Sequence, residues 1–361
     1  MLLNLFSETD NSVLGNNCDL FFEEVQKLVK RDRIDWLLIT ECLKATKKIF
    51  HIKKDISEKS IIEISKILLK NYGTSDGTWL QGMQELINTI NDIISSPEDL
   101  FKHILQVLAK PIFNTKGESK INQNLISTFN KKMKIDDETQ ELNNSKKSVN
   151  GISDEEHSDI VYYEKISQFF FVFGHICINL TIFSEKLESE LKKKNEENSK
   201  EKNEKKKKSL KNKEEDDSDD LDQIGGGKEA ELDIDIDVLH NIIENDFLYN
   251  NIIGLFVPLI IQFSKNSLKV NSQDYKLNYN ENESLFYNPL KNMYKSAILC
   301  LTKLMTISQR FCAENIPLLF SIVESETIPT DIRCNIIIAF GDLINRWPNI
   351  LHLESPRVFR L

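Results

Sequence analysis

Strand signals are missing from this sequence: no stretch alternates apolar and polar residues with a period of two over the length of a strand. That excludes sheet-based architectures and the nucleotide-binding folds built on them. Glycine and proline are sparse, at 12 and 8 in 361 residues, so they punctuate long helical runs instead of filling loops. Six cysteines (Cys18, Cys42, Cys177, Cys300, Cys312 and Cys334) form no CxxC pair, and most sit among apolar residues; they read as reduced core residues of an intracellular protein. The six histidines (His51, His103, His157, His175, His240, His352) never fall at HxxxH or HExxH spacing, which removes the usual metal-ligand patterns. Gly73 to Gly77 (GTSDG) spells GxSxG but follows no strand signal and so is no nucleophile elbow, and a Walker lysine loop is absent, so the sequence predicts no catalytic residue, no cofactor and no metal. Positive charge is in deficit, with a formal net charge of −10. A chain of that sign does not coat nucleic acid with its whole surface, and any DNA contact must be local. Residues 1–10 lack the basic start and apolar run of a secretory signal. The most apolar run, 169–183 (FFFVFGHICINLTIF), is broken by His175 and Asn179 and is shorter than the roughly 20 residues that span a bilayer, so it reads as a buried helix with no membrane role.

What is present is helix. Apolar stretches of about four turns alternate with short polar breaks, which is the pattern of antiparallel helix hairpins. The first pair is expected at 21–29 and 34–50, and the second at 60–69 and 78–94. Ser96-Pro97-Glu98 reads as a capped start for a helix over 99–108 that Pro111 ends. Apolar periodicity fades between 114 and 158, resumes in a long helix, and fades again into a Lys/Glu/Asn/Asp tract that runs to Gly225-Gly226-Gly227. Such tracts bury too little apolar surface to offset their ordering entropy. Lys205 to Lys208 with Lys211 and Lys213 fit either a basic import signal or a solvated linker. Hairpins return at 231–244 with 252–263, then 289–307. The predicted organisation is therefore N-terminal helical repeats over 1–114, a disordered insert over 115–158, a long helix over 159–195, a charged disordered insert over 196–229, and further repeats over 230–361.

The last unit pairs a short helix over 314–324 with a longer one over 332–347, with Thr330 or Asp331 as N-cap. In the second helix Ile332, Ile336, Phe340, Leu343 and Trp347 share one stripe, and Ile337, Ile338 and Ile344 widen it beyond a single face. Burial on several sides is expected, as happens when hairpins stack on neighbours. Gly341 costs that helix about 1 kcal/mol relative to alanine, so another backbone is expected to approach there. Asp342 and Arg346, four apart, can pair on the helix surface; alternatively Arg333 and Asp342 form a ladder to adjacent units. Trp36, Trp79 and Trp347 are expected core anchors.

Pro317-Leu318-Leu319, Asp331, Ile332-Arg333 and 339–343 (AFGDL) are arranged as in HEAT repeats, which the chain resembles. The block 332–343 (IRCNIIIAFGDL) followed by Arg346-Trp347-Pro348-Asn349 is more specific and resembles the condensin subunit 1 family. Residues 309–320 (QRFCAENIPLLF), 79–90 (WLQGMQELINTI) and 171–187 are similar to that family as well, less closely toward the N-terminus. Trp347 departs from it, since the family usually has Phe there. The resemblance implies an all-α HEAT-repeat α-solenoid, a fragment of a longer protein. Its signature residues are Arg333, Asn335, Gly341, Asp342, Arg346, Pro348 and Asn349, structural or interacting in role. It further implies a non-catalytic subunit that binds the condensin kleisin subunit, the SMC ATPase subunits and the other HEAT subunit, and works on chromatin DNA in the nucleus during mitotic chromosome condensation, with cytoplasmic residence outside mitosis. Two other readings stay open: a transport or trafficking adaptor of importin or adaptin type, and the equivalent subunit of the second condensin complex.

Overall fold

The computed structural model describes residues 11–29, 34–74, 77–113, 154–210, 238–270, 288–352 and 354–360. Among these there is no strand, and the chain is all-α. Of the two expected inserts, 115–158 and 196–229, residues 115–153 and 211–229 lie outside the described residues.

Among the described residues ten helices make two layers. One contains α1 (Asn11–Val29), α3 (Lys54–Lys70), α5 (Glu98–Phe113), α7 (Asn251–Asn266) and α9 (Gln309–Val323). The other contains α2 (Trp36–Phe50), α4 (Gly77–Ile93), α6 (Asp154–Leu210), α8 (Pro289–Met305) and α10 (Thr330–Arg346), packed side by side in that order. Two short helices, α11 (Pro348–Leu351) and α12 (Ser355–Val358), follow. Each first-layer helix begins a hairpin that its second-layer partner completes, so one apolar core runs the length of the stack.

Local chemistry sets most of these boundaries. Asp35 caps α2 by accepting from the Leu38 N–H at 3.2 Å, and Asn288 caps α8 by accepting from the Lys291 N–H at 2.9 Å, with Pro289 at the first turn. At α9 the Ser308 hydroxyl accepts from the Phe311 N–H, while the Glu244 carboxylate accepts from the Arg310 and Gln309 N–H groups at 2.7 and 3.1 Å. That double cap starts α9 at Gln309, five residues before the expected 314, and leaves Pro317 inside the helix. Two other sequence readings need correction. Pro111 lies within the last turn of α5, which ends at Phe113. The N-cap of α10 is Pro329, which offers no side-chain hydrogen bond, with Thr330 as the first helical residue.

The long helix α6 spans Asp154–Leu210 instead of 159–195, so the first part of the expected charged insert is helical. Its Lys- and Glu-rich sequence has good helix propensity, and extending an already docked helix needs no new nucleus. The run 169–183 sits in the core as expected: Phe169, Phe170, Val172, Phe173, Ile176 and Cys177 are buried. Phe169 and Phe170 meet Phe256 and Phe263 of α7 at ring-centroid distances of 4.9 and 5.2 Å, each such pair contributing about 0.5–1.5 kcal/mol beyond its area.

Candidate interaction face

The signature block falls on α10 and the start of α11. Its inner stripe, Ile332, Ile336, Ala339, Phe340 and Leu343, is buried, and Phe340 stacks on Phe320 of α9 at 4.7 Å. The opposite face is open. Ile337 and Ile338 are 39% and 67% exposed, and Cys334, Gly341 and Asp342 beside them are exposed as well. Burial on several sides is therefore not what this structure shows, because no described residue covers that face. Gly341 corrects its expected role for the same reason: a Cβ built there meets nothing within 4 Å.

Close approach occurs elsewhere, at Gly174 of α6. A Cβ at that position would stand 3.2 Å from Cys300 Sγ, 3.4 Å from Cys300 Cα and 3.1 Å from Lys303 Cδ. Gly174 thus lets α6 and α8 pack in their long contact, which Ser167 and Ser296 reinforce with a 2.8 Å hydroxyl pair. Burial drives the side chains around this seam toward their neutral forms. The Cys300 thiol is pushed up to about 12, the Lys303 ammonium is lowered, and His175, desolvated and near Lys303, falls to about 4 while contacting Asn88 Oδ1 of α4 at 3.0 Å. A thiol held so far above neutrality is not a nucleophile.

Polar contacts across the second layer do form a ladder, built from residues other than Arg333 and Asp342. Lys47 of α2 reaches Glu85 and Asp92 of α4 at 2.9 and 3.2 Å, Asp331 receives Lys291 and Lys295 of α8 at 2.9 and 3.6 Å, and Arg346 donates to Glu185 of α6 at 2.7 Å. Arg346 therefore pairs with the long helix, and its guanidinium also lies 5.1 Å over the Trp347 ring. Asp342 makes no ion pair among the described residues. Arg333 is half-buried, with Nε sequestered from solvent and without a hydrogen-bond partner among the described residues. Asn335 is half-buried, and Pro348 and Asn349 are exposed at the start of α11. Of the tryptophans, Trp36 and Trp79 are core anchors, whereas Trp347 is half-buried and donates its indole N–H to the Met305 carbonyl at 2.8 Å.

A second polar device joins the two halves of the stack. The turn before α4 holds Gly73 at φ +89°, a conformation suited to glycine. Buried Gln168 of α6 accepts from the Gly73 N–H at 2.9 Å and donates to the Thr74 carbonyl at 2.6 Å, and the Tyr72 hydroxyl donates to the Lys165 carbonyl at 2.6 Å. Neighbouring Glu164, half-buried with Oε2 sequestered and without a hydrogen-bond partner among the described residues, is pushed by desolvation up to about 7. No sequence pattern announces Gln168, Glu185 or Gly174, since their partners are about ninety or more residues away. Among the described residues no cluster of His, Cys, Asp and Glu is arranged to hold a metal ion.

No family model matches the chain. Curated relatives do. The condensin complex subunit 1 of Saccharomyces cerevisiae is 27% identical over 201 residues, covering 54% of this chain and 15% of the relative. That of Schizosaccharomyces pombe is 24% identical over 267 residues, covering 73% and 20%, and that of Mus musculus is 30% identical over 135 residues, covering 37% and 8%. These matches support a place for the chain in the condensin subunit 1 family. The matched stretch spans a fifth or less of each relative's length. Within the block likened to that family, the inner half secures α10 to α9 and the outer half is exposed. Neither an adaptor of importin or adaptin type nor the equivalent subunit of the second condensin complex is favoured by these relatives.

Proposed function

We propose that this chain is a non-catalytic scaffold of HEAT-solenoid type within a condensin complex, assembling with the kleisin subunit, the SMC ATPase subunits and the other HEAT subunit on chromatin in the nucleus for mitotic chromosome condensation. The observation that carries the reading is the exposed face of α10, where Cys334, Ile337, Ile338 and Gly341 leave a smooth apolar strip beside Asp342. Adjacent exposed isoleucines on one helix face are a surface that a partner's apolar side chains can cover. Stacked helix pairs offer a mechanism suited to assembly, since small rotations between units give long surfaces that bend. ATP turnover belongs, in this reading, to the SMC partners.

The test is affinity purification of the tagged protein from its own cells with identification of the co-purifying subunits. Kleisin and SMC subunits are expected with the natural sequence, and Ile338→Glu should lower their recovery while leaving the thermal midpoint of the purified chain unchanged. Recovery of nuclear-transport or vesicle-coat proteins in their place would sink the proposal. So would ATPase activity that survives purification and is abolished by a point substitution in this chain.

A further inference from the structure

Between α5 and α7 the stack opens into a groove of roughly 480 Å³, within the ~300–1,000 Å³ range of built ligand sites. Its floor is the long helix, which contributes Ile176 and Leu180; Phe101 and Leu105 form one wall, and Phe247, Ile252 and Ile253 the other. Asn251, also on the groove, has φ +60°, a left-handed conformation that asparagine tolerates better than most residues. It turns the chain into α7 and so seats Phe247 and Ile252 on the wall. The lip is charged: Glu98 and Asp99 are exposed, and neither they nor Lys102 beside them makes an ion pair among the described residues.

We infer that this groove docks a short segment of another protein whose apolar anchors lie beside a lysine or arginine. The inference rests on the reading of the chain as an assembly scaffold and uses a surface separate from the α10 face. Apolar floor and walls select aliphatic or aromatic side chains, because burying them removes surface from water. The two carboxylates outnumber the one ammonium of Lys102, and this net negative lip selects a cation beside those anchors and disfavours an acidic segment, since opposite charges steer encounter and like charges resist it. Nucleic acid is excluded as occupant on the same ground: its phosphates would meet Glu98 and Asp99.

The experiment uses the full chain in its own cells, tagged, with photoreactive benzoylphenylalanine in place of Lys102, and with Ile62 on the exposed side of α3 replaced in a control. Irradiation should join the groove position, and not the control, to one peptide of another protein, containing apolar residues next to a lysine or arginine. Leu180→Glu should remove that product. A synthetic peptide of the crosslinked sequence, followed by fluorescence anisotropy, should bind the purified chain, and Glu98→Lys with Asp99→Lys should weaken binding at least tenfold even if Leu180→Glu perturbs folding. Crosslinking to nucleic acid, to a second copy of this chain or to an acidic peptide would overturn the inference, as would a Kd untouched by the charge reversal. Condensin subunits recovered from the same sample without a groove crosslink would overturn the groove alone. A groove crosslink to a protein outside condensin would keep the groove and overturn the condensin reading.

Discussion

Two glycines separate propensity from packing at the scale of single residues. Gly341 faces open space and Gly174 faces Cys300, so the same substitution should act with opposite sign at the two sites. Gly341→Leu is expected to leave stability unchanged or raise it by up to about 1 kcal/mol through helix propensity. Gly174→Leu forces methyl groups into the α6–α8 seam and should cost about 1–3 kcal/mol. Urea unfolding of both variants checks this, and a net loss at Gly341 would mean that its face is covered. Glu164 and His175 give a second prediction at this scale. Glu164 is pushed from 4.5 up to about 7; between those values the folded chain keeps a proton that the unfolded chain has released, so this group lowers stability as pH rises through that window. His175 falls from 6.5 to about 4, so the unfolded chain takes up a proton first and stability is lost as pH falls from 6.5 toward 4. The slopes oppose each other where the windows overlap. Glu164→Gln should leave a stability profile that climbs from pH 4 to 6.5, and His175→Gln one that declines from pH 4.5 to 7. Unfolding midpoints measured across pH 4–7.5 that coincide for all three proteins would contradict both assignments.

Among the elements, α6 carries the largest share of the organisation. Through Gln168 it grips the Gly73–Thr74 turn, through Gly174 it admits α8, and through Glu185 it receives Arg346 from α10. The ion pair is solvent-exposed at both ends, so on its own it contributes little. Gln168 is 2% exposed, and its loss would strand a backbone N–H and a carbonyl. Gln168→Ala should therefore cost about 1–3 kcal/mol, with faster amide hydrogen exchange at Gly73 as its local signature. Unchanged exchange at Gly73 would show that the clasp does not hold the turn.

Across the whole molecule, helix pairs stacked in chain order make a long core with polar tracts set between them. The composition of 115–153 and 211–229 predicts that dilute protease cuts there first, leaving helical fragments that stay associated through the contacts of α6 with α4, α5 and α8. First cuts inside α8 or α9 would contradict this. Helical class, hairpin order and the buried run 169–183 were all legible in the sequence, because a 3.6-residue apolar period and the punctuation between runs are local properties. The extent of α6 was not, since helix propensity and disorder draw on the same Lys- and Glu-rich composition. Nor was the cap of α9, for Glu244 lies more than sixty residues from the amides it receives. Sequence alone determined which residues are apolar enough to be buried and where the helical runs break. Only the tertiary structure decided which apolar residues are covered, because Ile336 and Ile338 are alike as side chains and differ in whether another helix lies opposite.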